Sequence, residues 1–268
     1  ILIAAGGLVT STNSGLSVPD WPLSYGSLNP PMVGGIVFEH SHRMIAGVIL
    51  LGTLLLAFIT WKSAEASRGL KIASGFLVVM VLLQALLGGL TVLLKLPPVV
   101  SVAHACLAQL FLSLLGCVCC RTSIRWSTVP EKISVDPMLK IWIFTTPAIF
   151  FFQLLSGAFL RHTESQMMLA VHILSAFLVI STVFITVIKY RALKSDAFVR
   201  ITSSVLSHGV VLQFMLGIMA FVILYTQHLQ IEILFAVLPT AHQTLGAVLL
   251  ASAVMLSYRV SLLSRKAV

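Results

Sequence analysis

Apolar residues run through this chain in long stretches, and charged residues fall between them. Reading from break to break predicts helices over 36–61, 71–94, 99–120, 139–160, 167–189, 201–225 and 236–258. Each is close to the roughly 20 residues that cross a hydrocarbon layer. Residues 1–10 are also apolar, but a helix rising about 1.5 Å per residue gets only partway across in that length. The sequence starts with Ile1, so this stretch reads as the later half of a first helix whose start lies upstream. The expected fold is an all-α integral membrane protein. It is an eight-helix bundle, first helix truncated, made of two pseudo-symmetric four-helix halves.

Composition agrees. Of 268 residues, 58% are hydrophobic and only 9% are charged, whereas a soluble domain carries about a quarter charged residues. The net charge of +9 does not point to nucleic acid, because its distribution follows membrane topology. Lys62, Arg68 and Lys71 share one break; Arg121, Arg125, Lys132 and Lys140 share another; Lys189, Arg191, Lys194 and Arg200 fill a third. With Arg259, Arg265 and Lys266 in the tail, 14 of the 17 basic residues lie on one side. That side is expected to face the cytoplasm of a bacterium, in its cytoplasmic membrane, in preference to the matrix side of a mitochondrial inner membrane. Loops 11–35, 95–98, 161–166 and 226–235 then face outward. The four cysteines, Cys106, Cys117, Cys119 and Cys120, all fall in one predicted helix. Their C-x-x-C reads as small buried residues at a helix end rather than as a metal or redox centre.

A repeat organises the sequence. Ala103-His104 and the four residues after it match Ala241-His242 and its successors, and Leu83-Gln84 through Gly88 matches Leu212-Gln213 through Gly217. Gln153 and Gly157 keep the same Gln-x-x-x-Gly spacing. Gly6-Gly7 resembles Gly88-Gly89, but Leu2 stands where the glutamine would be. Two bundles from one ancestral unit are the simplest account, divided as residues 1–125 and 126–268, with an axis along the membrane normal. Small residues at these positions let membrane helices pack closely. Beside a ligand they also leave room for a flat macrocycle.

His42, His104, His172 and His242 sit at matched depth, near the starts of the even-numbered helices. An intramembrane imidazole is a functional candidate by default. Two histidines from facing helices suit the axial positions of a haem iron, so four in register read as two haem sites, toward the outer face. Four separately satisfied core histidines are the alternative. Zinc is less attractive, because it would need ligands converging on one centre. His40 is about 200° around the helix from His42 and cannot share its site. His162 and His228 lie at loop edges, and His208 has no counterpart in the repeat.

Glu39 precedes His42 by three residues and shares its helix face. One reading is an intrahelical ion pair with Arg43; the other places a carboxylate beside the first site, with Arg43 in support. Leu169 holds the equivalent position before His172, so the two sites are chemically unequal. The first could do chemistry and the second could carry electrons. The loop from Thr10 to Gly35, with Pro19-Asp20-Trp21-Pro22 inside it, suits a lid or an interfacial anchor.

These residues resemble the haem A synthase family. Gly7 to Ser17, followed by Pro19-Asp20-Trp21-Pro22, is similar to that family's first outer loop, and Phe38-Glu39-His40-Ser41-His42-Arg43 resembles its Glu-x-x-His-Arg motif. Ala103-His104, Val171-His172 and Ala241-His242 match its other histidine helices. The resemblance implies that the C-terminal half holds a b-type haem, with its iron, on His172 and His242. The N-terminal half would hold the substrate, haem O, between His42 and His104. It further implies oxidation of the C8 methyl of haem O, by two hydroxylations, to the formyl group of haem A used by terminal oxidases. Glu39 is the expected catalytic carboxylate. Some members carry a cysteine pair in the first outer loop, where this chain has Val18 and Ser24.

The implied partners are the synthase that supplies haem O, an electron acceptor of unknown identity and the lipid bilayer; a homo-oligomer stays open. Two rivals remain. A non-catalytic di-haem b-type cytochrome, moving electrons between quinol and a partner, explains the histidines but leaves Glu39 without a task. A transporter with parallel repeats predicts no chromophore.

Overall fold

The computed structural model describes residues 1–123, 126, 137–190, 196–226 and 232–263. Among them are eight helices: α1 (Leu2–Ser11), α2 (Gly35–Lys62), α3 (Arg68–Leu93), α4 (Pro98–Thr122), α5 (Pro137–Thr163), α6 (Gln166–Lys189), α7 (Ala197–Thr226) and α8 (Glu232–Leu263). Six of them are long and apolar enough to cross a membrane.

The helices bury small polar residues and expose large apolar ones. Thr53, Thr60, Ser74, Ser101 and Ser113 are buried, while Val48, Phe58, Phe144 and Leu174 are more than 60% exposed. In water that would be unstable. In hydrocarbon the outward apolar surface is solvated by lipid tails, and close packing plus internal hydrogen bonds hold the helices together. Thr53 and Thr60 hydroxyls bond back to the carbonyls of Ile49 and Leu56, each at 2.7 Å, which satisfies them within their own helix. The chain is an all-α integral membrane bundle.

Several helices start earlier than the apolar pattern predicts, and the cause is capping. The hydroxyl of Ser67 accepts from the Leu70 N–H (3.3 Å) and starts α3 at Arg68. The Asp196 carboxylate accepts from the Val199 N–H (3.0 Å) at the head of α7. Such side chains satisfy backbone donors that a helix start leaves open.

Chain contacts divide the molecule into two compact units, residues 1–111 with 215–244 and residues 112–214 with 245–268. In the first, α2 packs against α1 and α3. The Trp61 indole donates to the Lys71 carbonyl (2.9 Å) and lies against Gly75, and Ser11 meets Thr240 hydroxyl to hydroxyl at 3.1 Å.

The second unit has a core of Phe150, Val183, Val199, Leu206, Leu249 and Leu256 among others. Gly209 lets Leu249 approach, and Gly116 does the same for Met255. Arg259 is a correction to the sequence reading, which placed it among the basic residues of the tail. It is buried inside α8 and bonds the Asp196 carboxylate through Nε (3.0 Å) and Nη2 (2.7 Å). It also donates to the Trp126 carbonyl (2.9 Å) and lies 4.8 Å over that indole. A paired arginine does not break a helix, so α8 continues past the predicted end at 258. Asp196→Ala would remove the carboxylate that Nε and Nη2 of the buried Arg259 bond. Breaking such a pair costs roughly 3–5 kcal/mol, so thermal unfolding in detergent is expected at a clearly lower temperature; an unchanged midpoint would contradict this.

Candidate functional site

The four histidines reside on the even-numbered helices, and each lies against a glycine of the helix before it. A Cβ built on Gly6 of α1 would stand 3.0 Å from Cε1 of His42 on α2; on Gly88 of α3, 3.1 Å from Cε1 of His104 on α4. On Gly157 of α5 it would stand 2.7 Å from Cε1 of His172 on α6, and on Gly217 of α7, 2.9 Å from Cε1 of His242 on α8. The ring atom nearest the glycine is the same in all four, with both nitrogens the next nearest. The helix pairs thus repeat one device. A glycine supplies a gap, and the imidazole edge that carries both nitrogens occupies it.

The glutamine of Gln-x-x-x-Gly has a matching task. Gln84 Nε2 donates to the backbone carbonyl of His104 (3.0 Å), and Gln153 Nε2 to that of His172 (3.0 Å). One turn later comes the glycine that receives the ring. Around His172 the arrangement is tighter: Ser156 Oγ is 3.0 Å from Nδ1, Gln153 Nε2 is 3.1 Å from it, and Ser175 donates to Gln153 Oε1. Such outer contacts fix ring orientation for a ligand histidine. The Gln-x-x-x-Gly spacing is visible in the sequence, but the role of its glutamine is not. Its signal was the repetition itself.

Axial ligation of a flat macrocycle fits these residues. A side chain at any of the four glycines would fill the space beside both ring nitrogens. Nδ1 of His42 is buried without a hydrogen-bond partner among the described residues, a condition that costs about 1–3 kcal/mol when nothing satisfies it. Among the described residues no three His, Cys, Asp or Glu side chains gather into one metal centre; the histidines are seated one by one.

Glu39 is 3% exposed, and both of its oxygens are engaged. Oε2 accepts from the Val18 N–H (2.9 Å) and Oε1 from Arg43 Nη2 (2.5 Å). The intrahelical ion pair is therefore present, together with a tie to the loop 21 residues earlier. Arg43 also donates to the carbonyls of Asp20 (2.7 Å), Leu23 (2.5 Å) and Val18 (3.2 Å). His40 bonds Ser24 through Nδ1 at 2.8 Å. Val18 and Ser24 are both buried and fastened to α2 through polar contacts.

The loop is also braced internally. The Asp20 carboxylate accepts from the N–H groups of Tyr25 (2.7 Å) and Gly26 (2.8 Å). Those two bonds, Gly26 first, hold its pKa below the usual carboxylate value. Tyr25 donates to the Ser17 carbonyl at 2.6 Å. Trp21 lies against Gly89, where a Cβ would come within 2.8 Å of the indole. Adjacent glycines on α3 therefore receive two different rings, Gly88 that of His104 and Gly89 that of Trp21. His208 bonds the Ser204 carbonyl of its own helix at 2.8 Å, and His162 lies at the end of α5. His228 falls outside the described residues.

Fold and site together define a helical membrane protein that presents four glycine-seated imidazoles. Residues 35–171, which take in His42 and His104, match the family described as cytochrome oxidase assembly protein. The heme A synthase of Bacillus pumilus (strain SAFR-032) is 30% identical over 175 residues, 62% of this chain and 56% of that protein. That of Bacillus licheniformis is 30% identical over 173 residues, with 62% and 56% covered. That of Alkalihalophilus pseudofirmus is 27% identical over 172 residues, with 62% and 57% covered. The chain spans about half the length of these curated relatives. It belongs to the cytochrome oxidase assembly protein family, the haem A synthase family that its motifs resemble.

Proposed function

We propose that this chain is a haem A synthase, an oxidoreductase that converts the C8 methyl of haem O to a formyl group by two successive hydroxylations and so supplies haem A to terminal oxidases. The observation that carries the reading is the fourfold seating of an imidazole against a glycine, and membership of the family supports it. Residues 1–125 would bind haem O between His42 and His104. Residues 126–268 would keep a resident b haem on His172 and His242, in a bacterial cytoplasmic membrane with the seats toward its outer face.

When bound, the b haem supplies one-electron transfer toward an external acceptor. The protein's own part is orientation and charge. Gly6 and Gly88 leave room for the rings of the two ligand histidines, His42 and His104. Glu39, on the same face as His42, brings a negative charge to a site where loss of electrons from the methyl carbon develops positive charge. Its Oε2 is the atom to take a proton from attacking water, and Arg43 supplies the counter-charge to Oε1. The partners are the synthase that delivers haem O, the acceptor and the bilayer.

The test is pigment analysis of protein expressed with haem O available. Haem A or a hydroxylated intermediate is expected. Unmodified haem O and haem b alone would overturn the reading in favour of a di-haem cytochrome. A reduced-minus-oxidised spectrum lacking a b-type band would favour a transporter.

A further inference from the structure

The loop 12–34 is fastened to the bundle by an unusual concentration of contacts on one side chain. Arg43 spans three backbone carbonyls, those of Val18, Asp20 and Leu23, while its own counter-ion, Glu39, holds the Val18 N–H. Ser24 and His40 close the far end. What these ties hold in place is Trp21, against Gly89, one residue from the glycine that seats His104. A guanidinium is well suited to this: its donors are rigid and planar, and it stays charged. Bonds from a charged donor are stronger than those between neutral groups, so three of them on one residue make it the controlling fastener of the segment.

We infer that residues 18–25 form a cap latched by Arg43, and that release of this latch governs exchange of the macrocycle at the His42/His104 site. The inference rests on the proposed function, since it takes haem O to be the molecule bound there. Arg43 is thus a positioning residue that acts through the loop backbone and Trp21. The ring must pass the segment that Arg43 holds down, so weakening the latch speeds departure without altering either ligand.

Two variants test this from opposite ends. Arg43→Gln removes the latch. Gly89→Ala leaves Arg43 and Glu39 intact but puts a methyl group where the Trp21 indole lies. Full-length protein loaded with haem O is mixed with excess apomyoglobin, and the pigments left behind are separated by chromatography, which resolves haem O from haem b. Chymotryptic cleavage after Leu23 or Tyr25, since Pro22 blocks the bond after Trp21, reports cap opening independently of any haem. Both variants are expected to release haem O at least tenfold faster than wild type and to be cut faster, while the haem b content stays unchanged. Faster cutting with an unchanged release rate would overturn the gating role. Unchanged cutting in Arg43→Gln would overturn the latch. Wild-type protein that takes up no haem O would overturn the proposed function, a result seen in the loading step and separate from the protease arm.

Discussion

A Gly157→Val variant is expected to lose most of its b haem. Gly157 stands so close to His172 that even one methyl group would come within 2.7 Å of Cε1, and valine adds two more carbons on a stiff branched side chain. The imidazole cannot yield freely, because Ser156 and Gln153 hold its Nδ1 and Gln153 also holds the backbone behind it. Overpacking of this kind costs typically about 1–3 kcal/mol, which a long helix bundle tolerates. A metal ligand does not tolerate it, since it must stay within roughly 0.2 Å of its bonding distance. Haem b per protein is therefore expected to fall at least tenfold, read from the reduced-minus-oxidised spectrum, with the protein still folded. Gly47→Val is the matched control: Gly47 has nothing within 4 Å of a built Cβ, so its haem content should equal wild type. Retention of full haem by Gly157→Val would remove His172 from the ligand set.

The second large effect is expected at Glu39. Glu39→Gln keeps the shape and loses the charge. Its amide nitrogen would then face a donor on one side or the other, Val18 N–H or the Arg43 guanidinium, because the carboxylate accepts from both. Haem binding should survive, since the ligand histidines are untouched. Formyl production is expected to fall by about 10²- to 10⁴-fold, the usual worth of a positioned acid or base. Chymotryptic cleavage of the loop in the same variant separates two causes. A fall in product with an intact loop assigns the loss to the carboxylate itself. A fall that tracks loop opening assigns it to the tie with Val18. Full activity would remove Glu39 from the mechanism.

Hydropathy revealed the helices because hydrocarbon imposes a single length on every span. It misplaced their ends wherever a polar side chain extended them. Ser67 and Asp196 begin helices three and four residues before the apolar run, and Arg259 prolongs one because a buried aspartate neutralises it. The histidines were legible through their register across the repeat. The glycines were legible as small residues, but the space they leave is filled first by the imidazole. The Glu39 tie to Val18 was not legible at all, since it joins a helix to a loop 21 residues away and no periodicity encodes that. Nor was the pairing of Trp21 with Gly89, which requires the loop to fold back over α3.

The fastening of residues 18–25 has a practical corollary. It consists of hydrogen bonds and an ion pair, and the four cysteines lie between positions 106 and 120, remote in sequence from that segment. Dithiothreitol or glutathione has no bond to cleave there, so cap closure should be indifferent to the thiol–disulfide balance of the surrounding compartment. Strong salt or a competing guanidinium ion, by contrast, would compete for the same carbonyls and carboxylate and loosen it.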